Sequence, residues 1–597
     1  MKAISLLGVF ALARALALLG RDIPLSLWSP IAYLWQDLLA VLLFAGFERL
    51  TARRPWISWT VYSVIVLYIA INLPLVRYLS SPLTLPMLRA TRGALADSIR
   101  HQLTAENLGL IGLVLCAAAV LPRCVIRGAQ IANLSSRLRM TRVTSHCQFA
   151  AAVAILVALG PFATSRVDTG GLHRNVFVAL LETAMPRVAA KAVECGDWRK
   201  SPIPGAELQL RPLMEDLSRF KGAAQGRNVI MILLESTGAR YLKPYGALTD
   251  PMPNLTALAD QAILFENACA VYPESIKGLF SVLCSRYPAF DTPPEACAGP
   301  ATLSIAARLA AEGYRTALFH SGRFLYLGME NVVRQRGFQT LEDAGDIGGN
   351  RQSSFGVDEP ATVKRILNWI DSVPTDGKFF FTYLPIAGHH PYEYPGPGPF
   401  PGSDDRDRYL NALHYNDAAL EELLEGLRAR RLFEKTLLVI FGDHGEAFGQ
   451  HTGNYGHTLF IYEENIRVPY LIVAPGLIRG AIRIQRTASL IDTAPTILDL
   501  LGLPAPEDYQ GVSLLAPRQQ MALFYTDYSL ALAGLSDGCW KFIGELGSGQ
   551  SRLFDLVHDA NETRNLATQY PERVEAYRKH LQSWAAAQRD LILHPRD

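Results

Sequence analysis

Asn228-Val229-Ile230-Met231-Ile232-Leu233-Leu234-Glu235-Ser236 and Leu437-Leu438-Val439-Ile440-Phe441-Gly442-Asp443-His444-Gly445-Glu446 are two apolar runs that both end in acidic residues. A near-continuous apolar strand suits a parallel sheet covered on both faces, and ligands of such sheets gather beyond the strands' carboxyl ends. Glu235, Asp443 and His444 stand at those ends and together read as a split metal site. Singly, each acidic group has a structural reading, Glu235 as a cap for a following helix and Asp443 in a turn with Gly442. A set of carboxylates with one imidazole suits manganese, magnesium or zinc better than calcium, which prefers oxygen alone.

Outward from these runs, strand-like and helical stretches alternate: strands at 229–234, 316–320, 379–384, 437–441 and 468–474, helices near 254–261, 359–372 and 416–430. That alternation predicts an α/β sheet with helices on both faces, within a domain spanning 226–515. From 516 to 597 the pattern changes to short strands at 521–527 and 541–544 and a polar helix near 570–590, which predicts a small C-terminal α+β subdomain.

The first quarter is of another kind. Hydrophobic residues make up 49% of the 597-residue chain, and five apolar stretches fall at 3–20, 28–48, 56–76, 108–122 and 147–164. Most approach the ~20 residues that a helical span requires, so residues 1–165 are expected to form five transmembrane helices. The first stretch lacks a convincing small-residue cleavage site and is read as an anchor rather than a signal peptide. Arg49, Arg53 and Arg54, then Arg123, Arg127, Arg137, Arg139 and Arg142, mark two cytoplasmic loops, which places everything beyond about residue 165 outside a cell (inner) membrane. Residues 83–102 are expected as an amphipathic helix on the outer membrane surface, and 166–225 as a helical linker. A net charge of +2 without any basic-aromatic patch excludes nucleic acid as a partner. Of the outer cysteines, Cys195, Cys269, Cys284, Cys297 and Cys539, the pair closest in sequence is Cys284 with Cys297.

Between the two runs lies Tyr272-Pro273-Glu274-Ser275-Ile276-Lys277-Gly278-Leu279-Phe280, continuing to Arg286-Tyr287-Pro288. A hydroxyl at a helix N-terminus and beside a dication loses its proton more easily, so Ser275 is the candidate nucleophile and a fourth metal ligand; its plain alternative is an N-cap serine. His320 ends one strand, His389 and His390 follow another, and His451 and His457 occupy the loop after Asp443. Imidazoles so placed serve an ester reaction, His390 or His457 protonating the leaving alcohol, with His320, His389, Lys277 and Arg286 as candidate substrate ligands.

As a set, Glu235, the segment from Ser275 to Pro288, Gly442-Asp443-His444-Gly445-Glu446, Tyr462-Glu463-Glu464-Asn465-Ile466-Arg467-Val468-Pro469, Leu490-Ile491-Asp492-Thr493-Ala494-Pro495-Thr496 and Leu553-Phe554-Asp555-Leu556 resemble the sulfatase-like branch of the alkaline phosphatase superfamily. Five spans before such a domain look like lipoteichoic acid synthases and related phosphoglycerol or phosphoethanolamine transferases. The resemblance implies an alkaline-phosphatase-like mixed sheet flanked by helices, and an enzyme whose donor is a membrane lipid and whose acceptor is an envelope glycan or lipid. Ser275 falls where sulfatases convert a cysteine or serine to formylglycine and where the transferases use an unmodified threonine. The conversion requires Pro or Ala two residues on and Arg four residues on; here Lys277 and Leu279 stand there, which favours an unmodified serine and phosphoryl chemistry. After His320 the sequence departs from the synthases, lacking their Trp and Arg, and the C-terminal stretch is more like soluble sulfatases. A sulfuric ester hydrolase is the alternative within the fold, and a catalytically silent, lipid-binding regulator the alternative outside it.

Overall fold

The computed structural model describes residues 2–21, 23, 25–90, 102–134, 141–193, 197–203, 216–297, 303–349, 356–518 and 520–594. Helices α1 (Lys2–Leu18), α2 (Ser29–Leu50), α3 (Pro55–Leu79), α4 (Ala105–Leu134) and α5 (Thr141–Arg166) coincide with the five apolar stretches. Three of them, α2, α3 and the Ala105–Arg127 part of α4, are long and apolar enough to cross a membrane. The chain is thus membrane-anchored; α1, with 17 residues, and the apolar Val153–Arg166 part of α5 fall short of that length, so the expected count of five rests on their position alone. Large apolar side chains such as Leu43, Trp56, Val64, Leu67 and Val120 remain exposed on these helices, as a lipid-facing surface demands. Polar groups inside the bundle are paired: Arg14 of α1 bonds Asp37 of α2 at 2.8 Å, and Asp37 accepts Asn175 Nδ2 at 2.7 Å.

The chain emerges from α1, α3 and α5 on one face of this bundle, where the large domain sits. Ser81 and Ser529 share a 2.5 Å hydroxyl contact, Thr84 donates to the Tyr528 carbonyl, and Asp168 pairs with Arg552. Of the expected amphipathic helix, residues 91–101 lie outside the described residues. Its described turn, Leu85–Ala90, packs Met87 into an apolar cluster with Leu459, Phe460 and Phe554 of the large domain instead of standing free at the membrane surface. The linker is helical only at Val176–Glu182 and in one 3-10 turn, Ser218–Phe220, among its described residues; Pro204, Pro212 and Cys195 lie outside them.

The large domain is built on a mixed sheet of β1 (Asn228–Leu234), β2 (Ala262–Cys269), β3 (Tyr314–His320), β4 (Thr340–Glu342), β5 (Lys378–Leu384) and β6 (Thr436–Gly442), joined by β9 (Arg467–Val468), β10 (Tyr470–Val473) and β11 (Ile482–Ser489). A separate hairpin pairs β7 (Ala447–Phe448) with β8 (Tyr455–Gly456). The strand order is β11-β2-β10-β6-β1-β5-β3-β4, with β9 on β2. Strand β10 runs antiparallel to both its neighbours, whereas β1 lies parallel between β5 and β6. Alternation along β1 sends Val229, Met231 and Leu233 into one apolar core and Ile230, Ile232 and Leu234 into the other, which is why a seven-residue run without polar residues beyond Asn228 is stable only at the sheet's centre. Helices α6 (Ser275–Cys284), α7 (Glu359–Asp371) and α8 (Asp405–Ala429) cover it. The predicted strand 468–474 is divided by Pro469, which has no N–H for the ladder, and the predicted helix 416–430 begins earlier, at Asp405, capped by Asp404.

The C-terminal subdomain is a four-stranded antiparallel sheet, β12 (Ala522–Thr526), β13 (Leu532–Ser536), β14 (Trp540–Glu545) and β15 (Ser551–Asp555), backed by α9 (Pro571–Leu593). Cys284 and Cys297 are both buried as separate thiols in one core.

Candidate metal centre and nucleophile

Strands β1 and β6 are paired in register, Leu233 opposite Phe441 and Leu234 opposite Gly442, so the next residues, Glu235 and Asp443, leave adjacent strands at the same level. The crossing is tight: a Cβ on Gly442 would meet the Thr237 carbonyl at 2.1 Å, and one on Gly388 would meet the Glu235 carbonyl at 2.2 Å. Asp443 Oδ1 accepts the backbone N–H of Ser236 (2.9 Å) and of His444 (2.8 Å), leaving Oδ2 facing His444 Nε2 at 3.5 Å. His444 bonds the Gly445 carbonyl through Nδ1 at 3.0 Å, so Nδ1 carries a hydrogen and Nε2, which faces Glu235 Oε1 also at 3.5 Å, is the ring atom that can ligate a cation.

Ser275 completes this cluster. Glu274, not Ser275, caps α6: its carboxylate accepts Ile276 N–H and Lys277 N–H. Ser275 is the first helical residue, and its hydroxyl is free to donate to Glu235 Oε2 at 2.9 Å while lying 3.3 Å from His444 Nε2. Burial first, and the Asp443 carboxylate second, push Glu235 up to about 8. Two buried carboxylates beside an imidazole lone pair form a donor set that a divalent cation fits, since the cation supplies the positive charge the cluster lacks.

Two other groups of donors are satisfied internally. In the first, the hairpin places Glu446 just before β7 and His457 just after β8, so that Glu446 Oε2 receives His457 Nδ1 at 2.7 Å and Oε1 receives the Tyr392 hydroxyl at 2.6 Å. Although burial raises the Glu446 carboxyl, the His457 charge and the bonds from His457 and Tyr392 outweigh it and hold it below the ordinary value. The His457 ring lies 4.2 Å from that of His444, beside the nucleophile. In the second, His451 bonds Glu464 at 2.7 Å and Lys541 lies 2.9 Å from Glu562 and 3.0 Å from Glu463, so a lysine already occupies the cation's place.

The other predicted site residues divide. His389 is 5.9 Å from His457 ring to ring and bonds the His390 carbonyl; burial first, then His457, brings it down to about 3, so it is a neutral imidazole. His390 packs edge-on against Tyr392. His320, buried at the end of β3, bonds the Leu384 carbonyl and stacks on Phe324, its basicity lowered by burial. Lys277 and Arg286 are not brought to the centre. Lys277 is buried against Asp527 of the C-terminal subdomain, at 2.8 and 3.0 Å, and under the Tyr272 ring; Arg286 faces Asp508 at 3.8 Å. Helical geometry is the reason: two residues past Ser275, a side chain points to the opposite side of α6. Sequence reasoning passed over Glu446 and Glu359. Glu359 lies beneath the histidine loop, accepting Ile386 N–H (2.8 Å), Ala387 N–H (3.2 Å) and the Ser321 hydroxyl (2.9 Å), with burial raising it to about 7.

Comparison with known proteins agrees with this architecture. Residues 227–503 match the Sulfatase family model, and residues 452–587 the N-sulphoglucosamine sulphohydrolase C-terminal model. Arylsulfatase K of Bos taurus is 28% identical over 245 residues, 36% of this chain and 44% of that protein. Lipoteichoic acid synthase 2 of Bacillus subtilis (strain 168) is 26% identical over 312 residues, 49% of this chain and 47% of that protein. The chain therefore spans about half the length of the curated relatives it matches. A solved protein of the alkaline phosphatase superfamily from Vibrio parahaemolyticus superposes with a TM-score of 0.53 at 20% identity, covering 66% of this chain and 94% of that one.

Proposed function

We propose, from the place of this outer domain in the sulfatase-like branch of the alkaline phosphatase superfamily, that the protein is a membrane-anchored, metal-dependent transferase that moves a phospholipid-derived phosphoglycerol or phosphoethanolamine group to an envelope glycan or lipid through a phosphoserine at Ser275. The observation that carries this reading is the Ser275 hydroxyl held between Glu235 Oε2 and His444 Nε2, on a helix whose second and fourth following positions are filled by the ion-paired Lys277 and the fully buried Leu279. Neither position offers the Pro or Ala and the Arg of a formylglycine motif.

A divalent cation held by Glu235, Asp443, His444 and Ser275 would lower the hydroxyl's pKa and draw charge from a phosphoryl oxygen. Ser275 Oγ attacks phosphorus in line as its proton passes to the Glu235 carboxylate, and the bond from phosphorus to the lipid alcohol breaks. His457, carrying a proton on each ring nitrogen, gives the one on Nε2 to the departing alcohol, and Glu446, itself held by Tyr392, accepts from Nδ1 and fixes the ring orientation that this requires. An acceptor hydroxyl then gives its proton to His457 and bonds to phosphorus as the bond from phosphorus to Ser275 Oγ breaks, and Glu235 returns its proton to Ser275 Oγ. His389, neutral, is a hydrogen-bond partner rather than a charge for the ester. Anchoring by the helices keeps the site at a bilayer surface, where the lipid donor is concentrated and the domain lies on the outer side of a cell membrane.

Hydrolysis of sulfate esters is the second reading, favoured by the similarity to arylsulfatase K. Incubation with labelled phospholipid and envelope extract separates the two. Release of diacylglycerol by wild type and not by Ser275→Ala supports transfer; turnover of sulfate esters alone overturns it.

A further inference from the structure

The hairpin that carries the Glu446 and His457 pair is held from the membrane side. Its tip contains Gly453, at φ 80°, where a Cβ would lie 1.7 Å from Ser80 Oγ and 2.4 Å from Arg21 Nη1. Ser80 is the residue that ends α3, in a left-handed conformation, and Arg21 follows α1. Arg21 donates to Ser80 Oγ at 2.6 Å and to the Val76 carbonyl at 3.1 Å, and also bonds the Arg77 carbonyl, so one guanidinium closes the carboxyl end of α3 and forms the floor under the hairpin tip. Tyr78, in the last turn of α3, stacks on Tyr455 of β8 with ring centres 5.4 Å apart at 23°. Tyr455 is two residues from His457 and opposite Phe448, whose ring packs against Tyr392 and Tyr409.

A two-residue ladder is too short to hold its own register, and this one carries glycines with positive φ at 449, 453 and 456. Its far side is held by His451 on Glu464 and the Glu562 carbonyl. Next to His457 the strand is held by Asn465 Nδ2, which donates to the Gly456 carbonyl (3.2 Å) and the His457 carbonyl (3.4 Å), and, from the membrane segment, by Tyr78 on Tyr455, while Arg21 and Ser80 lie under the tip at Gly453. We infer that Tyr78, seated on the Arg21-closed end of α3, is a positioning residue for His457, so that the membrane segment completes the active site as well as anchoring it.

This rests on the proposed role of His457, and the experiment separates the two. The protein is purified at full length in lipid nanodiscs as wild type, Tyr78→Ala, Tyr78→Phe and Ser275→Ala. Hydrogen exchange over residues 447–457 reads the clamp without reference to activity: Tyr78→Ala is expected to exchange there at least tenfold faster than wild type, with Tyr78→Phe restoring protection and β1 and β6 unchanged. A water-soluble chromogenic phosphodiester, which needs no membrane to reach the site, reads the consequence: kcat falls at least tenfold in Tyr78→Ala with KM within about twofold, and Tyr78→Phe recovers it. Exchange equal to wild type in Tyr78→Ala overturns the clamp. Faster exchange with unchanged kcat overturns the positioning of His457 while leaving the clamp, and a wild type no faster on the ester than Ser275→Ala overturns the functional reading independently of the exchange result.

Discussion

Replacing Glu446 by Gln tests the acid most sharply, because it removes one charge and almost no volume. In the structure Oε2 accepts His457 Nδ1 at 2.7 Å and Oε1 the Tyr392 hydroxyl at 2.6 Å. A glutamine can keep both contacts: its carbonyl oxygen accepts from His457, and its amide N–H donates to the Tyr392 oxygen. Imidazole orientation therefore survives, and what disappears is the carboxylate charge 2.7 Å from Nδ1. General acid–base catalysis contributes roughly 100- to 10,000-fold, and retaining the geometry preserves part of it, so kcat is expected to fall roughly 100- to 1,000-fold, about 2.7–4.1 kcal/mol. Steady-state kinetics with labelled phospholipid measures this, alongside metal content by plasma emission spectroscopy. The metal should stay at wild-type occupancy, because Glu446 and His457 are satisfied by each other and the cation belongs to Glu235, Asp443 and His444. A kcat within threefold of wild type would refute the dyad, and loss of metal would move the ion to the His444, Glu446 and His457 group.

Lys277→Met leaves the Asp527 carboxylate buried with Tyr272 Oη and Asp291 N–H as its hydrogen-bond partners among the described residues, a loss of about 3–5 kcal/mol visible as a lower unfolding midpoint. In wild type, burial pushes Asp527 up, but the Lys277 charge and its hydrogen bonds outweigh this and hold the carboxyl below its ordinary value. Its stabilisation is thus fully present above the unfolded value near pH ~4 and is lost as pH falls through the lower folded value. The deficit of Lys277→Met should narrow on acidification toward pH ~4, where the stranded carboxylate takes a proton; a deficit independent of pH would contradict the pairing. Gly388→Ala drives a Cβ to 2.2 Å from the Glu235 carbonyl, and is expected to abolish metal binding while the far-ultraviolet circular dichroism stays that of a folded protein. Full metal occupancy in that variant would show the loop to be compliant.

Much of the centre could be read before any coordinates. Beyond their first residues, Asn228 and Thr436, strands β1 and β6 have no polar residue to place on a solvent face, which left them only the middle of a covered sheet, and their acidic ends converged as a result. Ser275 stood out because a hydroxyl opened a helix between them. Lys277 misled for a physical reason: a cation next to a nucleophile suggests an anionic substrate, and only the fold reveals that Asp527, the residue just after β12, neutralises it. Glu446 was visible in the motif but its role depended on a hairpin of two-residue strands, too short and too rich in glycine for any alternation to register. Strands β2 and β11 escaped notice because Glu266 and Asn267, and Arg483 and Gln485, interrupt their apolar pattern near the sheet's edge.

The central claim is that Ser275 acts as an unmodified serine that becomes esterified. Peptide mass spectrometry of the segment containing Ser275, after rapid acid quench of the enzyme turning over phospholipid, tests it directly. The account predicts an unmodified serine at rest and a phosphoglycerol or phosphoethanolamine adduct on Ser275 during turnover, absent from Ser275→Ala. A formylglycine at position 275, or an adduct on any other residue, would contradict it.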